Sequence, residues 1–115
     1  MTWRKLSALE AALIEKLLAS SFPGRDEIGE QVRNALVRRL DEDGSLEFRP
    51  GPGVPAPVRK RIPAEAQAKD RDGTWIHALL HVVGGRVKEL EFYREDSAPI
   101  LEMPSAEHWE LVELD

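Results

Sequence analysis

Residues 64–103 read AEAQAKDRDGTWIHALLHVVGGRVKELEFYREDSAPILEM. Three short turn-like segments, residues 70–73, 84–85 and 95–98, divide this stretch into four runs of strand-forming residues. Runs of this kind, separated by glycine-containing or acidic turns, are typical of neighbouring antiparallel strands. The stretch therefore predicts an antiparallel sheet. A helix over residues 63–69 is the alternative for the first run, because alanine and glutamate favour helices.

The adjacent glycines at 84–85 set the register of the central hairpin. They suit a two-residue loop, whose central positions need positive φ angles. Val83 would then oppose Arg86, and Leu79 would oppose Leu90. Both faces of this hairpin carry apolar residues, so we expect it to be central in the sheet and at least partly covered on each side. One predicted face holds Trp75, His77, Leu79, His81, Lys88, Leu90, Phe92 and Arg94, and the other holds Ile76, Ala78, Leu80, Val82, Val87, Glu89, Glu91 and Tyr93.

Two helices are predicted ahead of this sheet. Ser7 and Glu10 have the spacing of a capping box, in which each side chain satisfies a backbone donor at a helix start. The apolar residues that follow recur at helical spacing until the Phe-Pro-Gly segment at 22–24. A second helix is predicted from about Asp26, where acidic residues suit the positive end of a helix dipole.

Further strands and the tail complete the prediction. Residues 37–40 and 45–48 flank an Asp-Gly turn, whereas residues 50–57, with four prolines, must form a loop. The tail could form a helical turn capped by Ser105 or a last edge strand. Trp109, Val112 and Leu114 of the tail could pack against the core. The sequence thus predicts an α+β domain over residues 1–115, with two N-terminal helices packed on a mostly antiparallel sheet of five or six strands.

The composition excludes several classes of protein. The 115-residue chain is 42% hydrophobic and 32% charged, a balance typical of one folded domain. It has no cysteine, so it can form no disulfide, thiolate metal site or cysteine nucleophile, and a reducing cytoplasm fits best. No stretch has the pattern of a signal peptide or a membrane span, so we expect a cytoplasmic protein that does not cross a membrane.

Charge is spread unevenly along the chain. The formal net charge is −5, and residues 86–115 contain 9 acidic and 3 basic residues. An acidic region repels phosphate backbones, and the short basic run at 59–61, preceded by Arg49, is typical of a solvated loop. We therefore expect no nucleic-acid binding, and we expect a protein partner to carry a basic surface.

No motif has a spacing that implies a particular reaction. His77 and His81 would share a strand face, but side chains four residues apart in a strand stand roughly 13 Å apart, too far to share one ion. Glu89 and Glu91 would lie about 7 Å apart, a separation seen in paired catalytic carboxylates and also in any half-solvated strand. The sequence therefore predicts no catalytic residue, metal site or cofactor.

The central hairpin carries the residues that we expect to contact a partner. Tryptophan, tyrosine and arginine contribute most at protein interfaces, because they bury a large area and keep a polar contact. The alternative for Trp75 and Phe92 is that they are buried in the hydrophobic core and contact no partner. The candidate binding residues are Trp75, His77, His81, Glu89, Glu91, Tyr93 and Arg94.

The run at 72–96, DGTWIHALLHVVGGRVKELEFYRED, with Pro-Ile at 99–100, resembles a small uncharacterised bacterial family that has no established activity. Its members look like stand-alone proteins of similar length, with an N-terminal helix ahead of a Phe-Pro-Gly-Arg segment like residues 22–25. The Leu-Glu-aromatic strand, acidic turn and Pro-Ile strand also resemble those of small immunity proteins, which neutralise a toxin domain in the cytoplasm. These resemblances imply a compact bacterial domain and, for the second, a protein partner.

These patterns lead to three hypotheses about the function of the protein. The first is a non-enzymatic cytoplasmic protein-binding module, of the kind that immunity-type inhibitors represent. The alternative is a small enzyme or ligand-binding protein that uses His77 or His81 with Glu89 or Glu91 in a pocket between sheet and helices. A homo-oligomeric structural protein is a third hypothesis, which a long exposed apolar edge strand would favour. The sequence leaves the oligomeric state open.

Overall fold

The helices and strands follow the order that the sequence predicts. A computed structural model, which describes residues 2–113, shows an α+β fold. Its elements are α1 (Ala8–Leu17), α2 (Arg25–Arg33), β1 (Leu36–Arg39), β2 (Leu46–Arg49), β3 (Ala64–Lys69), β4 (Trp75–Val83), β5 (Arg86–Arg94) and β6 (Glu110–Leu111). The six strands form one antiparallel sheet with the order β1-β2-β5-β4-β3-β6. The predicted fold class is confirmed.

Both helices begin where the sequence favours a helix start. The Ser7 hydroxyl accepts a hydrogen bond from the Glu10 amide, and the Glu10 carboxylate accepts one from the Ser7 amide, so the predicted capping box is formed. α2 follows Gly24, whose φ of 95° lies in the left-handed region. The side chains that the two helices bury are Leu13, Ile14, Leu17, Ile28, Gln31 and Val32. They cover one side of the sheet, which we call the inner face.

Residues 64–69 form a strand and not the alternative helix. Ala64, Ala66 and Ala68 are buried on the inner face, where their small side chains leave room for α1. β3 pairs with β4 on one side and with β6 on the other. Tertiary packing therefore outweighs the helix propensity of alanine and glutamate in this segment.

The central hairpin contains a β-bulge that the sequence analysis does not predict. Val82 pairs with Val87, as the two-residue loop requires, but the next pair joins His81 to Glu89. Lys88 is thus an extra residue on β5 with no partner on β4. A bulge of this kind shifts the register by one residue for the rest of the strand.

The bulge exchanges the two faces of β5 beyond Lys88. Leu79 opposes Glu91 and not Leu90, so the predicted register and face assignment of β5 are wrong from residue 89 onward. The physical reason is that side chains alternate along a strand, and one inserted residue inverts all those that follow it. The residues moved to the buried inner face are Leu90, Phe92 and Arg94, and those moved to the opposite side are Glu89, Glu91 and Tyr93.

The hairpin is central in the sheet, as predicted, but helices cover only one of its sides. The side opposite α1 and α2 carries no helix among residues 2–113. We call this side the outer face. On β3, β4 and β5 it consists of Glu65, Gln67, Lys69, Trp75, His77, Leu79, His81, Val83, Arg86, Glu89, Glu91 and Tyr93.

The segment after β5 does not form the strand predicted at 99–103. The amides of Leu101 and Glu102 donate to the buried carboxylate of Asp70 and not to a neighbouring strand. A buried acceptor at this point thus captures the donors that a ladder would need.

The tail forms both of the structures that were predicted as alternatives. A short 3₁₀ helix, Ala106–His108, precedes the edge strand β6. The Ser105 hydroxyl bonds to the Glu107 carboxylate and does not cap the backbone. Trp109 is buried, as expected, and its ring N–H donates to a backbone carbonyl. Leu114 lies outside the described residues.

The proline-rich loop is attached to the hairpin tip by Gln31. The side-chain amide of Gln31 donates to the carbonyls of Val54 and Gly85, and its oxygen accepts from the Val87 amide. Gly85 has a φ of 76°, and a Cβ there would lie 2.8 Å from Pro55 Cβ. The contact between the loop and the hairpin tip therefore requires a glycine at this position.

Candidate binding face

Six of the seven candidate residues lie together on the outer face. Trp75, His77 and His81 come from β4, and Glu89, Glu91 and Tyr93 come from β5. The predicted register places these two groups on opposite faces, and the bulge at Lys88 brings them to the same one. The seventh candidate, Arg94, lies on the inner face.

His81 occupies the middle of a short hydrogen-bonded chain. Its Nδ1 accepts a 3.2 Å bond from Nε of Arg61, and its Nε2 lies 2.8 Å from Oε1 of Glu91. Because Nδ1 accepts, the ring proton is on Nε2 and is donated to Glu91. One ligand atom from each of His81, Glu89 and Glu91 lies within 4.8 Å of the other two.

His77 lies on the same face and stacks on Tyr93. The two ring centroids are 5.0 Å apart and the ring planes differ by 22°. Nε2 of His77 lies 3.1 Å from a Glu95 carboxylate oxygen, whereas Nδ1 lies 3.8 Å from Glu65. Within residues 2–113 that buried Nδ1 has no hydrogen-bond partner.

Carboxylates surround the two histidines and Tyr93. They belong to Glu65, Glu89, Glu91 and Glu95. Partial burial, together with Glu65, Glu91 and Glu95, raises the pKa of the Tyr93 hydroxyl, so this group stays protonated and can donate a hydrogen bond at neutral pH. The middle of the outer face is therefore acidic.

Trp75 lies at one end of the outer face and is half-buried. The Lys69 ammonium lies 5.2 Å from its ring centroid, a cation–π contact. A groove of about 890 Å³ begins beside this ring. Its lining includes Lys69, Trp75, Met103, Ser105, His108 and Glu110.

Arg94 is engaged in ion pairs inside the protein. Its guanidinium donates to carboxylate oxygens of Asp70 and Asp72 at 3.0 Å, to Asp96 at 2.6 Å and to the Thr74 hydroxyl at 3.1 Å. The side chain is only 5% exposed. The contact role expected of Arg94 needs an accessible guanidinium, whereas this one holds turns of the fold together.

The ion pairs shift the pKa values of the groups around Arg94. Burial alone would raise the pKa of Asp70, but three backbone amides and Arg94 outweigh it and hold that pKa below its usual value. The bond from Arg94 lowers the pKa of Asp96 to about 2, and the bond from Asp96 in turn raises the pKa of Arg94. The cluster is thus fully ionised at neutral pH.

The outer face is not the pocket that the enzyme hypothesis requires. His77, His81, Glu89 and Glu91 all lie on the side of the sheet away from the helices, so they line no space between sheet and helices. Glu65, Glu95 and Arg61 also contact these histidines, but they are not among the site residues that the sequence predicts. Glu65 follows from the period of two in β3, but the contact of Arg61 with His81 depends on a loop whose path no local pattern fixes.

Comparison with known proteins places the chain in a family. The family described as "Domain of unknown function (DUF6984)" matches residues 3–104. The chain belongs to DUF6984. No curated protein and no solved structure matches it significantly. The DUF6984 match spans both helices and β1 to β5, so the expected membership of an uncharacterised family is confirmed. No helix described in residues 2–113 is long and apolar enough to span a bilayer.

Proposed function

We propose that this protein is a non-enzymatic binding module whose outer face docks a protein partner with a basic surface. One observation carries the proposal. Within residues 2–113, helices cover the sheet on one side only, and the uncovered side of its two longest strands concentrates carboxylates around accessible aromatic rings.

Charge complementarity selects a basic partner. The carboxylates of Glu65, Glu91 and Glu95 surround His77, His81 and Tyr93. Lysine and arginine side chains of a partner would meet these carboxylates, and the net charge of −5 would speed their encounter.

The size of the outer face and the types of its side chains suit a protein partner and not a small molecule. The six strands contain 34 residues in all, and at about 3.4 Å per residue and about 4.8 Å between strands they give the outer face roughly 550 Å² before the relief of its side chains is counted. A stable interface buries about 800 Å² on each partner. Tyr93 is 39% exposed and stacked on His77, so it is a rigid ring that loses little entropy when a partner covers it.

The proposal extends to the biological role. An acidic, cysteine-free α+β domain of this size suits an immunity-type inhibitor, which binds a basic toxin domain in the bacterial cytoplasm. The support for this step is the composition and the resemblance of the β5 region to such inhibitors. A toxin gene beside the gene for this chain would be the independent genetic support.

The test is affinity capture from the native host with matched variants. Glu95→Lys and Tyr93→Ala alter the outer face, whereas Glu15→Lys and Leu9→Ala make the same changes at exposed positions of α1. We expect wild type and both α1 variants to recover one stoichiometric partner, and we expect salt to weaken its binding. Each outer-face variant should bind that partner at least about tenfold more weakly.

Circular dichroism melts come first, because only variants that keep the wild-type melting temperature report on binding. Failure to recover any stoichiometric partner would contradict the proposal. Equal recovery by Glu95→Lys, Tyr93→Ala and the wild type would also contradict it, since the partner would then bind elsewhere.

A further inference from the structure

We infer that His81, Glu89 and Glu91 form a binding site for one divalent transition-metal ion, with zinc as the representative. The inference goes beyond the proposed docking function and does not depend on a partner. It rests on the convergence of three ligand atoms, one from each residue, within 4.8 Å of one another.

The donor set suits this class of ion. An imidazole nitrogen with two carboxylate oxygens is a ligand combination that zinc and similar borderline ions accept, whereas calcium and magnesium prefer oxygen alone. Zinc–ligand bonds of about 2.1 Å place ligand atoms roughly 3.4 Å apart. Small rotations of the Glu89 and Glu91 side chains would therefore close the site, and a further position would stay open to water.

The site is built on the two central strands of the sheet. His81 and Glu89 are a cross-strand pair of the two central strands, and Glu91 follows on the same face of β5. The side chains of His81 and Glu91 are 12% and 36% exposed. Because all three residues belong to the β4–β5 ladder, their backbone positions keep the donors together without the metal, which lowers the ordering cost of binding.

The local charge balance also favours a cation. Glu47, the neighbour of Glu89 on β2, is paired with Arg38 at 2.7 Å and with Lys88 at 3.6 Å. Among residues 2–113 no basic side chain lies within 4 Å of the Glu89 carboxylate, and the ion-pair partner of Glu91 is His81. Two carboxylates on adjacent outward positions of one strand thus lie beside one imidazole, and a metal ion would neutralise them.

His77 does not offer an equivalent site. Its two ring nitrogens face two different carboxylates, Glu95 through Nε2 and Glu65 through Nδ1. A single ion needs donors that converge on one point. This difference explains why two histidines with similar acidic surroundings are not interchangeable.

Arg61 competes with the metal. Its guanidinium donates to Nδ1 of His81, which keeps the ring proton on Nε2, beside Glu91. Coordination through Nε2 requires that proton to leave, and the neutral ring then carries its proton on Nδ1, so Arg61 loses its acceptor. Arg61 is exposed and can turn toward solvent.

The test is a titration of the purified full-length chain with zinc, followed by calorimetry, and with cobalt, followed by its visible absorption. We expect one ion per chain and no saturable calcium binding. His81→Ala, and Glu89→Gln combined with Glu91→Gln, should each weaken zinc binding by about tenfold or more. The matched control is His108→Ala, because His108 is exposed at 67% and should keep wild-type affinity.

Melting temperatures without metal show whether each variant folds, and the two glutamine substitutions preserve side-chain shape on a surface position. Absence of saturable binding, or equal affinity in wild type and His81→Ala, would overturn the inference. Arg61→Ala should bind zinc more tightly than the wild type, and equal or weaker binding would overturn the competition. Because these titrations use no partner, and the docking variants spare the three ligands, either proposal can fail alone.

Discussion

Arg94 fixes three parts of the chain at once. It extends from β5 to Asp70 and Asp72 in the turn before β4, and to Asp96 in the turn after β5. Asp70 has no exposed side-chain surface, and it also accepts the amides that replace the predicted strand at 99–103. Loss of Arg94 would leave that carboxylate buried without its cation, which is far costlier than loss of a surface ion pair.

The ion pairs of Arg94 predict a loss of stability in acid. Folding lowers the pKa of Asp96 to about 2, compared with about 3.9 in an unfolded chain. A carboxyl group with a lowered pKa stabilises the fold above its unfolded pKa, and this contribution is lost as the pH falls through its folded pKa. We expect the melting temperature to fall between about pH 4 and pH 2, and Asp96→Asn to flatten that part of the profile.

The control for this profile is Glu42→Gln, which alters an exposed carboxylate in the turn between β1 and β2. Its melting temperatures should follow the wild-type curve at every pH. If the Asp96→Asn and wild-type curves ran parallel from pH 5 to pH 2, Asp96 would not contribute the expected stability.

At the scale of the strand, the bulge at Lys88 decides which side chains share a face. Its removal is a direct test, because without Lys88 the pairs of Val82 with Val87 and His81 with Glu89 would follow each other in a regular ladder. We expect deletion of Lys88 to cost less than about 2 kcal/mol of unfolding free energy, since no inner-face residue changes sides. Chemical denaturation followed by tryptophan fluorescence measures this.

Deletion of Glu91 is the matched control. A regular ladder that kept Phe92 and Arg94 on the inner face would then bury Glu89 and expose Leu90. We expect the free energy of unfolding of this variant to fall by more than about 3 kcal/mol, because a carboxylate would enter the core. Similar losses for the two deletions would contradict the role assigned to the bulge.

The elements differ in how far local sequence determines them. The Ser7 and Glu10 pattern, the apolar spacing and the glycine turns are local signals, and they predict both helices and the positions of β1 to β5. The strand predicted at 99–103 does not form, and the local pattern leaves the tail open between a helical turn and an edge strand. The bulge has no such signal, because Val-Lys-Glu-Leu at 87–90 alternates plausibly in either register. The candidate residues could therefore be named from the sequence, but their assembly on one face could not.

At the scale of the whole molecule, Gln31 joins the helix layer to the sheet. Its side chain, fully buried on α2, bonds to the proline-rich loop through Val54 and to the hairpin tip through Gly85 and Val87. We expect Gln31→Ala to lower the free energy of unfolding by about 1–3 kcal/mol, because the buried Val87 amide loses its acceptor and the carbonyls of Val54 and Gly85 each lose one hydrogen bond. Urea denaturation measures the loss.

Glu30→Ala is the control for Gln31, since Glu30 makes an exposed ion pair with Arg33 on the same helix. Glu30→Ala should lower the free energy of unfolding by less than about 1 kcal/mol. Gln31→Glu keeps the acceptor for the Val87 amide and removes both donors, so it should still be destabilising. Wild-type stability in Gln31→Ala would show that the two layers are held together without this residue.

The two edges of the sheet bear on the oligomer hypothesis. β1 has four residues and its outer edge forms a bridge between Val37 and Arg4, whereas β6 has only two residues. Across residues 2–113 no long apolar edge strand is available for another copy. The fold therefore offers its broad outer face, and not its edges, for association.

Trp109 is part of the buried hydrophobic core. It lies five positions after the last residue that the family match includes. Its indole lies 5.9 Å from the Phe92 ring. A shortened gene product that stopped at that boundary would expose Phe92 to water and become prone to aggregation. Anyone who trims homologous sequences to the shared region before expression should therefore retain the segment through β6.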